Sequence, residues 1–218
     1  MKKILFTLAL LISFSSFGQD DIKQGLVVKY YDSGEVQSKT NYVDGKLQGE
    51  ATGYYESGEV AIKAYYEKGK QQGEFIRYNE SGVVQFKTNF VEGKQQGENI
   101  NYYESGGVWE KTNFVDGKQE GEKTGYYESG AVNFKLNFVD GKLQGEATGY
   151  YESGAVRYKS NYVDGISQGK SMGYYESGAV SFKSYYEKGK QQGEYIEYYE
   201  NGEIKEIKNY KDGELIED

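Results

Sequence analysis

The word Tyr-Tyr-Glu-Ser-Gly begins at Tyr54, Tyr102, Tyr126, Tyr150 and Tyr174, with near-copies at Tyr30 (YYDSG), Tyr78 (YNESG) and Tyr198 (YYENG). The glycines closing these eight words run from Gly34 to Gly202, each 24 residues after the last. A fixed period without insertions means one supersecondary unit stacked eight times, each copy resting on its neighbours. Within a copy, glycine recurs too often for a helix interior, and aromatic or β-branched residues between Gly, Asp and Ser clusters read as short strands. Residues 84, 86, 88 and 90 are Val, Phe, Thr and Phe, while Gln85, Lys87 and Asn89 are polar; Val132, Phe134, Leu136 and Phe138 repeat this. That is a period of two, with one apolar and one polar face.

The turn chemistry is equally legible. Glu56-Ser57 as a type I turn with Gly58 left-handed makes a three-residue hairpin with a bulge at the glycine. Tyr55 then opposes Glu59 and Tyr54 opposes Val60, and simple alternation sets Thr52 opposite Ile62. On this register the first Tyr of each pair joins the Val/Phe face and the second joins the Lys/Asn face. Gly53, Gly125, Gly149 and Gly173, mid-strand on the second-Tyr face, let a neighbouring aromatic lie across bare backbone. The connection over residues 43–49 is longer, and alternation leaves its register open. The expected fold is all-β: an elongated single-layer antiparallel sheet of about 16 short strands, built from eight 24-residue β-hairpin repeats.

Residues 1–18 have the layout of a secretory signal peptide: basic Met1-Lys2-Lys3, the apolar run Ile4 to Phe17, then Gly18 before polar Gln19-Asp20-Asp21. The run is shorter than the roughly 20 residues that span a bilayer. Cleavage after Gly18 is expected to leave no transmembrane segment in an exported, periplasmic or secreted chain. Residues 19–24 form a polar lead-in and 25–203 the repeat array. In residues 204–218, Glu206 and Lys208 break the apolar alternation, as befits a capping segment at an exposed edge.

Composition excludes several classes. The net charge is -8, and losing Lys2 and Lys3 makes it more negative still. No basic run offers a footprint for nucleic acid. With no Cys and no His, thiolate sites and the usual general base are missing, and no EF-hand or RTX spacing gathers oxygens for calcium. No cofactor or metal is expected. The carboxylates Glu56, Glu80, Glu104, Glu128, Glu152 and Glu176 recur in near-identical turns, whereas an acid–base pair needs environments that separate its members. The expectation is no enzyme and no catalytic residue.

Binding residues are a different matter. Tyr55, Tyr103, Tyr127, Tyr151 and Tyr175 should line the Lys/Asn face in register. They either present a polysaccharide- or protein-binding surface, or cover glycines and stabilise the sheet. Trp109, the single Trp, stands beside Glu110, which replaces the usual Phe. On the polar face it is a candidate binding anchor, set against ordinary drift between copies.

The segment Tyr42-Val43-Asp44-Gly45-Lys46-Leu47-Gln48-Gly49-Glu50 resembles the MORN repeat, aromatic-x-x-Gly-x-x-x-Gly-x-Gly, and the spacing returns at Phe90, Phe114, Phe138, Tyr162 and Tyr186. The Tyr-Tyr-Glu-Ser-Gly turn is similar to the variant MORN form of bacterial YwqK-type antitoxin-like proteins. The likeness covers nearly everything after residue 18. The pattern's last glycine is replaced at Ala51, Phe75, Asn99, Lys123, Ala147, Ser171 and Tyr195. The resemblance implies an antiparallel β-array used as a non-enzymatic binding or structural scaffold for a protein or polysaccharide partner. The alternative it implies is an antitoxin or immunity-type protein that neutralises a toxin by docking it, although export runs counter to a cytoplasmic toxin.

Overall fold

The computed structural model describes residues 23–216. The expected signal peptide lies outside the described residues, as do the first part of the polar lead-in and the last two residues of the chain. The described residues form 22 strands and no helix, all belonging to one open antiparallel sheet. Residue contacts divide the chain into two compact units. One runs to Val84 and adds Phe90–Lys94; the other comprises Gln85–Asn89 and everything from Gln95.

In the first unit, Gly25–Tyr30, Val36–Val43, Lys46–Tyr54, Val60–Glu67 and Lys70–Tyr78 pair in chain order. In the second, hairpins such as Gly97–Tyr102 with Val108–Val115 and Gly121–Tyr126 with Val132–Val139 follow one another to the final strand, Glu214–Ile216.

The Glu-Ser-Gly corner folds as its residues dictate. Tyr55 N–H donates to Glu59 O at 2.8 Å and Gly58 N–H to Tyr55 O at 2.9 Å, with Gly58 at φ +89°. Tyr54 opposes Val60, as simple alternation requires. One step further the register departs from expectation. Gly53 opposes Ile62 and Thr52 opposes Lys63, so Ala61 is an extra residue in a second bulge. The same slip follows in the other hairpins, between Asn101 and Tyr102 and between Gly149 and Tyr150 for example.

A one-residue shift exchanges faces. The first Tyr of each pair therefore joins the lysines, not the Phe row. The Lys39, Lys63 and Lys183 ammonium groups lie 5.5, 5.9 and 5.1 Å from the ring centres of Tyr54, Tyr78 and Tyr198. Alternation turns the second Tyr to the Phe/Thr face. The mid-strand glycines belong to that face too, directly opposite its aromatics. The Phe134, Tyr158 and Phe182 rings lie across Gly125, Gly149 and Gly173, filling the space a Cβ would need.

The connection left open by alternation is a two-residue turn. Val43 pairs with Lys46, and Asp44 and Gly45 both have positive φ, +49° and +74°, the signature of a type I′ hairpin. A bulge follows around Gly49 (φ +82°). In five later copies it interrupts the strand, leaving short pieces such as Lys94–Gln95 and Lys118–Gln119. These interruptions, with the final strand, raise the count above the expected 16 or so.

One layer has little interior. The described residues that are buried are small or polar, such as Ala64, Thr88, Asn99, Thr112, Ala147, Ser171 and Ser184 on the Phe/Thr face, with Thr88 only 1% and Ala147 2% exposed. Larger rings flank this strip; Phe182 stacks on Tyr195 at 5.9 Å.

Candidate binding surface

Hydrogen bonds running from one copy to the next stitch both ends of most hairpins. At the Glu-Ser-Gly end, the Tyr55 hydroxyl donates to Tyr78 O at 2.6 Å. Tyr103 reaches Tyr126 O, Tyr127 reaches Tyr150 O, Tyr151 reaches Tyr174 O and Tyr175 reaches Tyr198 O, all at 2.6–2.7 Å. These are the five tyrosines singled out in the sequence. All are half-buried with the hydroxyl engaged, so the part each leaves for a partner is its ring. Burial lifts the Tyr103 hydroxyl above the ordinary phenol range, and the Glu128 and Glu152 carboxylates and Tyr127 add to the rise. Asn79 occupies the same place in its copy. Its shorter side chain caps its own turn, Oδ1 accepting from Val83 N at 2.9 Å and from Ser81 Oγ at 2.7 Å.

At the type I′ end, the Gln48 carbonyl accepts from Lys68 N at 2.9 Å, and Gly69 N–H donates to Leu47 O at 2.8 Å. Gln144 and Asp164, with Leu143 and Gly165, repeat the arrangement. The glutamine ladder was not singled out in the sequence, although Gln at 48, 72, 96, 144, 168 and 192 was a visible signal.

Trp109 is the extra residue of its bulge. At equivalent positions Ser181 lies against Gly173 and Lys205 pairs with Glu197 at 2.7 Å, which puts this position on the Phe/Thr face rather than the polar one. The residue is 44% exposed. Next to it, Glu110 is buried and holds Lys123 at 2.9 Å, and Asn101 Nδ2 donates to it at 3.4 Å. Glu110 opposes Asn101 on one side and Gly125 on the other. A Phe over Gly is thus replaced here by a polar trio beside an exposed indole. Lys123 was legible only as one of seven departures from the MORN glycine; nothing in the spacing tied it to Glu110.

The opposite face carries the first tyrosines, the lysines and a row of carboxylates. Lys159 meets Glu146 at 2.9 Å and Lys135 meets Glu122 at 3.3 Å, with Thr148 and Thr124 donating to the same carboxylates. The Lys159 ammonium, with help from Thr148, holds the Glu146 carboxyl below its usual range against the opposing effect of burial, and Glu146 raises Lys159 in return. Among the described residues no group of three or more acidic side chains is placed to hold a metal ion, and no helix is long and apolar enough to cross a membrane.

An open antiparallel sheet of in-phase hairpins, with repeat-to-repeat hydrogen-bond ladders along both ends, defines a β-hairpin repeat protein. The chain belongs to the MORN repeat variant family, which it matches over residues 23–44, 47–68, 71–92, 95–116, 119–140, 143–164 and 191–212. The copy at 167–188 is passed over by that match, yet Gly169–Tyr174 and Val180–Glu187 form the same hairpin in the same register. No curated protein matches the chain. Among solved structures it is similar to a chain of the crystal structure of TcdB2-TccC3-Cdc42, at 11% identity, covering 86% of this chain and 12% of that one. The TM-score of 0.17 is too low for this likeness to carry an argument.

Proposed function

We propose that the protein is an exported, non-enzymatic scaffold that binds a protein or polysaccharide partner on the Phe/Thr face, with Trp109 as the anchor. One observation carries this reading: the sheet is a single layer with Trp109 44% exposed beside the buried Glu110 and its Lys123 partner, so its distinctive chemistry faces outward. An aromatic ring flanked by satisfied polar groups is the usual centre of a binding patch. Tyr103, in the same copy, and Tyr127, in the next, have their hydroxyls fixed on Tyr126 O and Tyr150 O. Residues 1–18 act as the leader, 25–203 as the array and 204–218 as the cap. The test is retention of wild type and Trp109→Ala on immobilised cell-wall and capsular polysaccharides, alongside copurification from the native host. Loss of binding in the variant supports the reading, and equal binding by both overturns it. Recovery of one tight stoichiometric protein would instead favour an immunity-type inhibitor.

A further inference from the structure

Two grooves lie at equivalent positions five copies apart, one in each unit. The first, of about 270 Å³, is lined by Glu50, Lys63, Tyr65, Glu74 and Ile76. The second, of about 460 Å³, is lined by Lys170, Met172, Lys183, Tyr185, Glu194 and Ile196. Residues 65–74 and 185–194 are identical, YYEKGKQQGE. In both, Tyr replaces the Asn found at Asn41, Asn89, Asn113, Asn137, Asn161 and Asn209, and the rings of Tyr65 and Tyr185 are 39% and 45% exposed.

The grooves differ chiefly in charge. Lys170 stands where every neighbouring copy has Glu: Glu50, Glu74, Glu98, Glu122, Glu146 and Glu194. The Tyr65 groove therefore carries two carboxylates and one ammonium, and the Tyr185 groove two ammoniums and one carboxylate. The copy supplying Lys170, Met172, Lys183 and Tyr185 is the one the family match passes over.

We propose that the chain associates with itself, the Tyr65 groove of one copy docking on the Tyr185 groove of another. Attraction comes from withdrawing Tyr65, Tyr185, Ile76, Ile196 and Met172 from water, because exposed ion pairs add little by themselves. Charge selects the pairing. Tyr65 groove on Tyr65 groove would set Glu50 and Glu74 against their own kind, whereas the crossed arrangement sets Glu50 against Lys170. The contact uses residues of the Lys/Tyr face, whereas Trp109 belongs to the Phe/Thr face, so it stands or falls separately from partner binding.

The test is sedimentation equilibrium of the full chain, comparing wild type with Glu50→Lys, Lys170→Glu and the two together. Both substituted positions are exposed, and circular dichroism verifies the fold. Wild type is expected to self-associate, each single reversal to raise the dissociation constant by at least about tenfold, and the double reversal to restore it. A monomeric wild type overturns the proposal. So do single reversals without effect, a double variant as weak as the singles, or a monomer whose Tyr65 and Tyr185 are protected only by added polysaccharide.

Discussion

At Gly149 the Tyr158 ring occupies the place of a side chain, while at Gly53, the same position in another copy, an added methyl group would meet only Ile62 Cβ at 3.7 Å. Both glycines are in extended backbone that any residue adopts, so packing alone separates them. Gly149→Ala is expected to destabilise by about 1–3 kcal/mol, and Gly53→Ala to be neutral or mildly stabilising, in urea titrations of the two variants. Backbone strain gives a second contrast. Lys188 sits at φ +50° in a type I′ turn where five other copies use Asp. Asn tolerates the left-handed region better and keeps the N–H that Gln168 accepts at 3.0 Å. Lys188→Asn should therefore raise the urea midpoint, with a gain on the order of 0.5–1 kcal/mol.

Between hairpins, single hydrogen bonds do work that a core performs in thicker proteins. Tyr127→Phe keeps the ring and removes only the bond to Tyr150 O, so a loss of about 1 kcal/mol is expected in the same titration. The Glu146–Lys159 bridge crosses one hairpin on the lysine face. Glu146's folded pKa is lowered, so its contribution is present above the usual carboxylate range and disappears as pH falls through the folded value. Lys159 is raised, so its share is present below the usual lysine range and is lost as pH climbs through its folded value. Thermal melts of wild type and Glu146→Gln should differ near neutral pH and converge in acid, once the pH falls below the ordinary carboxylate range.

On the scale of the molecule, the 24-residue period is a mechanical requirement as well as a sequence pattern. Each tyrosine hydroxyl and glutamine carbonyl finds its partner a fixed distance along the chain, 23 and 20 residues on. Removing residues 127–150 joins Tyr126 to Tyr151 and keeps every partner in phase. That deletion should fold cooperatively with a smaller urea m-value, whereas removing residues 127–149 should fold poorly, because one residue exchanges the two faces.

Period, alternation and turn chemistry made the hairpin and its Gly58-type corner legible in the chain alone, because each depends on residues within a few positions of one another. The same local logic placed Trp109 beside Glu110 and marked the five tyrosines. Faces were another matter. Whether Ala61 would be absorbed as a bulge was a matter of pairing between strands: the slip recurs with a ring over glycine, as at Phe134 and Gly125, and without one, as at Glu110 and Asn101, and it moved Trp109 and the tyrosine pairs to the faces opposite those expected. The Glu110–Lys123 contact likewise joins residues whose copies make no such pair elsewhere. Local spacing determined the repeat; only packing between strands decided which side of it each ring would occupy.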